Sequence, residues 1–370
     1  MSNQNDYVIL YCVKSIYIKI KPHASTLAFI AGFIWDSLML SRIDHVFARV
    51  MLTTYLCLAA VCIVVINIHE SRKAGSKTTL RYDRYLPLIL QFCFGSLFSA
   101  YIIFYTQSAS LAVNWPFLIF LVFLAFSNEI FRDRYVSHIF QLCTFFVVLF
   151  SYSIFSLPIV MGRMGGDVFV LSGLWSLGAI ICLSLVVRFT AREIFRRGIL
   201  QLVAGISAIY TLFNLAYFTN IIPPVPLSLK EIGIYHLVAR EPDRTYKLIF
   251  ERGSWYPLFN GTSDIYHRAD NEPVYVWSSV FAPTKLAVPI FHVWSYFDEI
   301  DRVWVTTDRL EFLVVGGREE GYRGYSFKQS VFPARWRVVV ETARKERVGQ
   351  VEFRLVSAKA LAENLVTEDR

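Results

Sequence analysis

Seven apolar runs, each near the length of about 20 residues that spans a hydrocarbon core, lie before Ile221 and none after it. They are Ser25 to Leu40, Val50 to Ile68, Tyr85 to Thr106, Val113 to Ile130, His138 to Met161, Val168 to Val187, and Gly198 to Asn220. A chain written this way folds as helices in a bilayer, because lipid offers no partner to an unpaired backbone N–H or C=O. Short connections between the runs make them antiparallel neighbours in a bundle. The pattern stops at Ile221 to Lys230, where Pro223, Pro224 and Pro226 interrupt the chain. Proline lacks a backbone N–H and clashes with the preceding turn, so the last helix must end near Asn220. The expected organisation is a transmembrane bundle over residues 1–220, a proline-containing linker with a short interfacial segment over 221–244, and a β-domain over 245–370.

Charge follows the same division. Before Ile221 there are 17 Lys and Arg against 9 acids, and from Ile221 onward 20 against 20. The net charge of +8 therefore belongs to the apolar half, between its runs, while the remainder is neutral. That distribution argues against a nucleic-acid partner, which calls for a basic patch on a folded face. It also orients the bundle. With the N-terminus cytoplasmic, the inner segments hold 14 Lys and Arg and the outer loops hold only Arg42, Arg49 and Arg163. Seven crossings then leave the C-terminal domain outside the cytoplasm. No cleavable signal is apparent, and the first helix is expected to direct insertion. All six cysteines precede Ile221, so the β-domain has no disulfide.

Beyond the prolines the hydrophobic period changes. Thr245 to Glu251, Val274 to Phe281, Leu286 to Trp294, Val303 to Val315, Tyr322 to Lys328, Arg335 to Thr342 and Val348 to Val356 are short runs rich in β-branched and aromatic residues. In the last two, apolar Trp336, Val338, Val340, Val351, Phe353 and Leu355 alternate with charged residues. An antiparallel, immunoglobulin-like sandwich of about seven strands is expected. Ser357 to Val366 reads as a short terminal helix.

Several of these strings resemble a bacterial family known only as a domain of unknown function, DUF2914. They are Val280-Phe281-Ala282-Pro283-Thr284, His292-x-Trp294, the stretch Gly316 to Lys328, Arg335-Trp336-Arg337-Val338, and Val348 to Phe353. The prolines of the linker and Trp35-Asp36-Ser37-Leu38 are similar to it as well, so the resemblance covers nearly the whole chain. It implies a multi-pass protein of a bacterial inner membrane with a periplasmic C-terminal β-domain, and it implies no activity. Pro333-Ala334-Arg335 departs from the glycine expected before the Trp-Arg-Val motif.

Gly316 to Gly324 is glycine-rich but lacks the Gly-Lys-Ser/Thr ending of a phosphate loop and does not enter an apolar helix. A strand-connecting turn, with glycines at positive φ, explains it. Arg318, Arg323, Ser326 and Lys328 lie in or beside that turn. On a strand, Ser326 and Lys328 share one face with Tyr322 and Gly324, while Arg323 shares the other with Tyr325 and Phe327. With Trp294 or Trp336 nearby, the Ser326 and Lys328 face could hold a glycan or an anionic envelope ligand by stacking and charge-assisted hydrogen bonds. The competing reading pairs the basic residues with Glu311, Glu319 and Glu320 and buries the tryptophans in the core. His236, His267 and His292 match no metal spacing, so no metal or cofactor is expected, and no Gly-x-Ser-x-Gly elbow points to a catalytic serine.

Asp36 is the costliest residue of the membrane half, with Arg42, Asp44 and Arg49 as candidate partners in a charged hairpin between the first two helices. Its position close to the membrane edge favours capping or ion pairing there. These features point to an inner-membrane protein whose β-domain serves binding, sensing or scaffolding, with the lipid bilayer and an envelope glycan or protein as partners. A transporter using a polar site near Asp36 and an envelope-modifying enzyme are the alternatives, and no catalytic set is assigned.

Overall fold

The computed structural model describes residue 36 and residues 46–73, 85–108, 111–130, 137–242, 245–252, 263–269, 271–283, 286–316, 321–358 and 365–370. Six helices run through the described residues: α1 (Val46–Lys73), α2 (Tyr85–Ser108), α3 (Leu111–Ile130), α4 (His138–Met161), α5 (Gly166–Thr190) and α6 (Arg192–Phe218). Among the described residues five helices are long and apolar enough to cross a membrane, namely α1, α2, α4, α5 and, over Gly198–Phe218, α6. Among the described residues this is fewer than the seven expected. α3, at Leu111–Ile130, matches the expected run from Val113 to Ile130 in place, and Asn114–Ala125 within it is apolar. The predicted first span lies outside the described residues except for Asp36, which is helical.

The chain divides into two compact units. One comprises Met1–Ile103, Ile119–Tyr152 and Leu174–Leu212; the other comprises Phe104–Leu118, Ser153–Gly173 and Phe213–Arg370. Within the first, the helices carry apolar side chains on their outer faces, including Phe189 and Leu200, which are 82% and 80% exposed. Such a surface suits lipid rather than water. A polar tie crosses its interior: Asn67 Nδ2 donates to Gln141 Oε1 at 2.7 Å, with both side chains buried. Interhelical amide pairs of this kind fix helix register in an apolar medium.

In the second unit α6 ends at Phe218, as the prolines require. Asn220 adopts a left-handed φ of 59°. Asn114 Nδ2 donates to the carbonyls of Asn220 and Ile221 at 3.2 and 2.9 Å, meeting acceptors near the point where the helix stops.

Eleven strands follow: β1 (Ser228–Tyr235), β2 (Leu237–Arg240), β3 (Tyr246–Glu251), β4 (Ile265–Arg268), β5 (Val274–Phe281), β6 (Ala287–Asp298), β7 (Val303–Val315), β8 (Tyr322–Lys328), β9 (Arg335–Thr342), β10 (Arg347–Ser357) and β11 (Leu365–Asp369). They form sheets of order β1-β5-β8, β4-β10-β9-β6-β7 and β11-β3-β2. The first two share one core, to which β1 gives Ile232 and Ile234, β5 gives Val274, Val276 and Val280, β6 gives Ile290 and Trp294, and β9 gives Trp336 and Val338. The third sheet buries Val238, Tyr246, Leu248 and Phe250 against Tyr235 and Trp277. Strand β5 is thus covered on both faces, which explains its nearly unbroken apolar sequence.

The domain is larger than the seven antiparallel strands expected. β4 pairs parallel to β10, and β1 and β2 lie within 221–244, which the sequence presents as spacer. The predicted terminal helix is also corrected where it can be seen. Leu365 and Val366 belong to β11, whose backbone pairs with Glu251 and Phe250 of β3, while residues 359–364 lie outside the described residues.

Of the glycines expected at positive φ, Gly321 has it, at 88°. Gly316 is required for a different reason: a Cβ there would stand 1.8 Å from the Pro283 carbonyl oxygen. Gly316 therefore sits at a tight crossing of backbones.

Candidate functional site

Strand β6 brings His292 and Trp294 into the main core, and β8 brings Ser326 to meet them. The Trp294 indole donates to Ser326 Oγ at 3.0 Å, and His292 lies 2.9 Å from Ser326 Oγ and 2.8 Å from Ser278 Oγ. Burial holds the imidazole pKa far below its ordinary value, at about 3, so it is neutral and offers one donor and one acceptor to the two hydroxyls. His292 is wholly buried, so this serine–histidine contact lies out of reach of a substrate.

A second polar cluster joins β3, β4 and the segment before β5. His236 Nδ1 lies 2.7 Å from Glu272 Oε1 and its Nε2 lies 3.1 Å from Glu251 Oε1. Glu251 also accepts from the backbone N–H of His267 at 2.6 Å and lies 2.8 Å from His267 Nδ1. Stacking of His236 on Tyr266, with centroids 4.3 Å apart, closes the cluster. His236 is thus held between Glu251 and Glu272, which makes the cluster a structural clasp.

An open cleft lies on the other face of β5. Cross-strand register sets Ser279 between Glu231 of β1 and Arg323 of β8, and sets Trp277 between Gly233 and Tyr325. A bulge in β1 between Leu229 and Glu231 brings both Lys230 and Glu231 to this opening. With Thr245, Asp369 and Arg370 they wall a cleft of about 590 Å³, the size of a small-molecule site. Arg370 is held by backbone hydrogen bonds to Tyr246 and by ion pairs to Glu231 and Glu368. Partial burial lowers its guanidinium pKa. Trp277 is only 2% exposed, and its indole Nε1 has no hydrogen-bond partner among the described residues. A buried donor left this way costs about 1–3 kcal/mol.

Beside the cleft, on the same face of β5 and β8, stand three aromatic rings. Tyr325 and Phe327 are 41% and 52% exposed, and Tyr275 packs against them with centroids 6.3 and 5.5 Å away.

The residues singled out by sequence are dispersed. Arg323 lines the cleft. Ser326, Trp294 and Trp336 are buried in the core, so the stacking surface expected of them is absent; strand β8 turns its Ser326 face inward. Lys328 forms an ion pair with Asp308, and that hydrogen bond holds the Asp308 carboxyl below its ordinary pKa. Arg318, Arg42 and Asp44 lie outside the described residues, which leaves the charged hairpin of Asp36 outside them too. Arg49 lies in α1, and its Nε is buried without a hydrogen-bond partner among the described residues. Lys230, Trp277 and Arg370 were missed because what gathers them is the β1 bulge and the β3–β11 pairing, neither of which is written locally in the sequence.

Residues 288–355, from β6 to β10, match the model of a family described as a protein of unknown function (DUF2914). The match bears out the resemblance in the C-terminal region, over a shorter stretch than the motifs suggested. No curated protein matches the chain. Among solved structures the chain is similar to Pseudomonas fluorescens alkylpurine DNA glycosylase AlkC bound to DNA containing an abasic site analog, at 9% identity over 83% of this chain and 98% of that one. The TM-score of 0.20 is too low for that likeness to carry an argument about fold or activity.

Proposed function

We propose that the chain is a multi-pass protein of a bacterial inner membrane, with a cytoplasmic N-terminus and a periplasmic, immunoglobulin-like β-domain that binds an anionic envelope ligand in the Trp277 cleft. The five long apolar helices support the membrane part, and the excess of Lys and Arg in alternate loops supports the orientation. The observation that carries the binding role is the buried, unpartnered indole N–H of Trp277, a residue that lines the cleft together with Lys230, Arg323 and Arg370. An acceptor oxygen seated there would take the indole hydrogen bond and charge-assisted bonds from the guanidinium groups together. The site lacks a convergent nucleophile and base among the described residues, so binding, and signalling or scaffolding through it, fits the geometry better than catalysis.

Photoreactive residues placed in cells at Thr245, at the rim of the cleft, and separately at Asp36 test this reading. Adducts to an anionic envelope component at Thr245, absent at Asp36, are expected. Small-molecule or lipid adducts confined to Asp36, with Thr245 silent, would reject binding by the β-domain and favour transport through the bundle.

A further inference from the structure

The cleft and the aromatic rings beside it make one continuous surface. Along β8, Arg323, Tyr325 and Phe327 alternate onto the same face, each about 7 Å from the next. Across the sheet, Trp277 stands opposite Tyr325 and Tyr275 stands opposite Phe327. The polar end of this track carries Lys230, Arg323 and Arg370 with Glu231 and Asp369, and Glu368 pairs with Arg370 beside them. At the apolar end Tyr325 and Phe327 are half exposed, next to the buried core of the third sheet.

Resting on the proposed anion-binding role, we infer that the ligand is an acidic oligosaccharide laid along β8. Each part of the surface answers one part of such a molecule. The Trp277 indole and the guanidinium groups donate to its carboxylate. Glu231 and Asp369, which only accept hydrogen bonds when ionised, receive from its hydroxyl groups. The Tyr325 and Phe327 faces carry the apolar C–H faces of the sugar rings that follow. A nucleic acid strand would also stack on aromatic rings, but its phosphate on every unit requires a continuous basic groove, and here two carboxylates share the cleft with three cations. An acidic peptide would supply anions but few hydroxyl donors for Glu231 and Asp369.

The test is direct binding to the full-length protein in nanodiscs, using a hexuronate oligomer, the hexuronate monomer, a neutral oligosaccharide of equal length and an acidic peptide of equal charge. The oligomer is expected to bind at least tenfold more tightly than the other three. The double substitution Tyr325→Ala with Phe327→Ala removes two half-exposed rings that pack on Tyr275 and, for Tyr325, on Tyr246. It should weaken the oligomer about tenfold and leave the monomer unchanged, while Arg323→Gln and Trp277→Phe should weaken both. If the ring substitutions have no effect on the oligomer, or the acidic peptide binds as tightly, the sugar inference fails and the anion site stands. If Arg323→Gln and Trp277→Phe leave both uronates unaffected, or neither uronate binds, the anion-site reading falls and takes this inference with it. Unfolding temperatures of each variant show that a lost signal comes from binding and not from folding.

Discussion

Ser326 Oγ lies 2.9 Å from His292 Nδ1 in the centre of the β-domain, where a neutral imidazole is the only form the surroundings can satisfy. Its pKa is lowered by burial from 6.5 to about 3. The unfolded chain therefore takes up a proton that the native state refuses. Stability from this group is complete above pH 6.5 and is lost as pH falls from 6.5 toward 3, by up to about 1.4 kcal/mol per pH unit. Denaturation of the full-length protein at pH 7 and pH 4.5 should show that loss. His292→Asn should be less stable at pH 7 yet flatter across the range; an unchanged slope would show that His292 does not govern it.

Glu346, in the turn between β9 and β10, has the opposite sign. Burial raises its carboxyl pKa above 4.5, against the opposing pull of Arg344 and a hydrogen bond from Thr342. The native state thus favours the protonated acid, and this contribution, full below pH 4.5, is lost as pH rises through the native pKa. Glu346→Gln should gain stability relative to wild type between pH 5 and pH 8, on the order of 1 kcal/mol. A variant whose disadvantage grows with pH would instead mark ionised Glu346 as a needed partner of Arg344, whose Nη1 lies 3.5 Å away.

Arg344 sets its guanidinium 4.1 Å from the ring centroid of Tyr217, which is stacked on Phe169 at 3.6 Å. The β9–β10 turn is thereby tied to the end of α6, immediately before the prolines. Cation–π contacts of this kind contribute about 0.5–2 kcal/mol. Arg344→Ala should speed protease cleavage in residues 221–227, and Arg344→Lys should restore part of the protection. Equal cleavage in all three proteins would mean that the stack does not hold the junction.

Gly321 lies against Ser279 with a φ of 88°, and a Cβ there would approach Ser279 Oγ to 2.5 Å. Gly321→Ala should cost about 1–3 kcal/mol and weaken ligand binding, since Ser279 lines the cleft. Gly178→Ala, where nothing lies within 4 Å of the added carbon, serves as the comparison and should be close to neutral. Thermal unfolding of the two variants side by side decides the matter.

Strong local patterns were legible in the sequence. Val274 to Phe281, Val303 to Val315, Tyr322 to Lys328 and Arg335 to Thr342 are strands with the bounds their alternation gives, and α6 ends where Pro223 and Pro224 demand. What escaped was decided by tertiary contact. Strand β1 carries Lys230, Glu231 and Gly233, poor strand formers that are held by pairing with β5, and β11 reads as a helical tail until β3 fixes it. Arg323 was assigned to the correct face of β8, but which face meets solvent depends on the sheets packed against it. Ser326 and Lys328 looked like a polar surface because sequence gives their alternation and not its direction.

The most direct test of the account follows the Trp277 indole proton. Nitrogen-15 NMR of full-length protein labelled at tryptophan, with the resonance assigned through Trp277→Phe, reports whether that N–H has a partner. Adding a uronate oligomer should move this resonance downfield, in proportion to occupancy, while the resonances of Trp294 and Trp336, already bonded to Ser326 and to the Phe332 carbonyl, stay in place. A Trp277 resonance that does not respond at saturating ligand, while the ligand binds elsewhere or not at all, would contradict the assignment of the cleft.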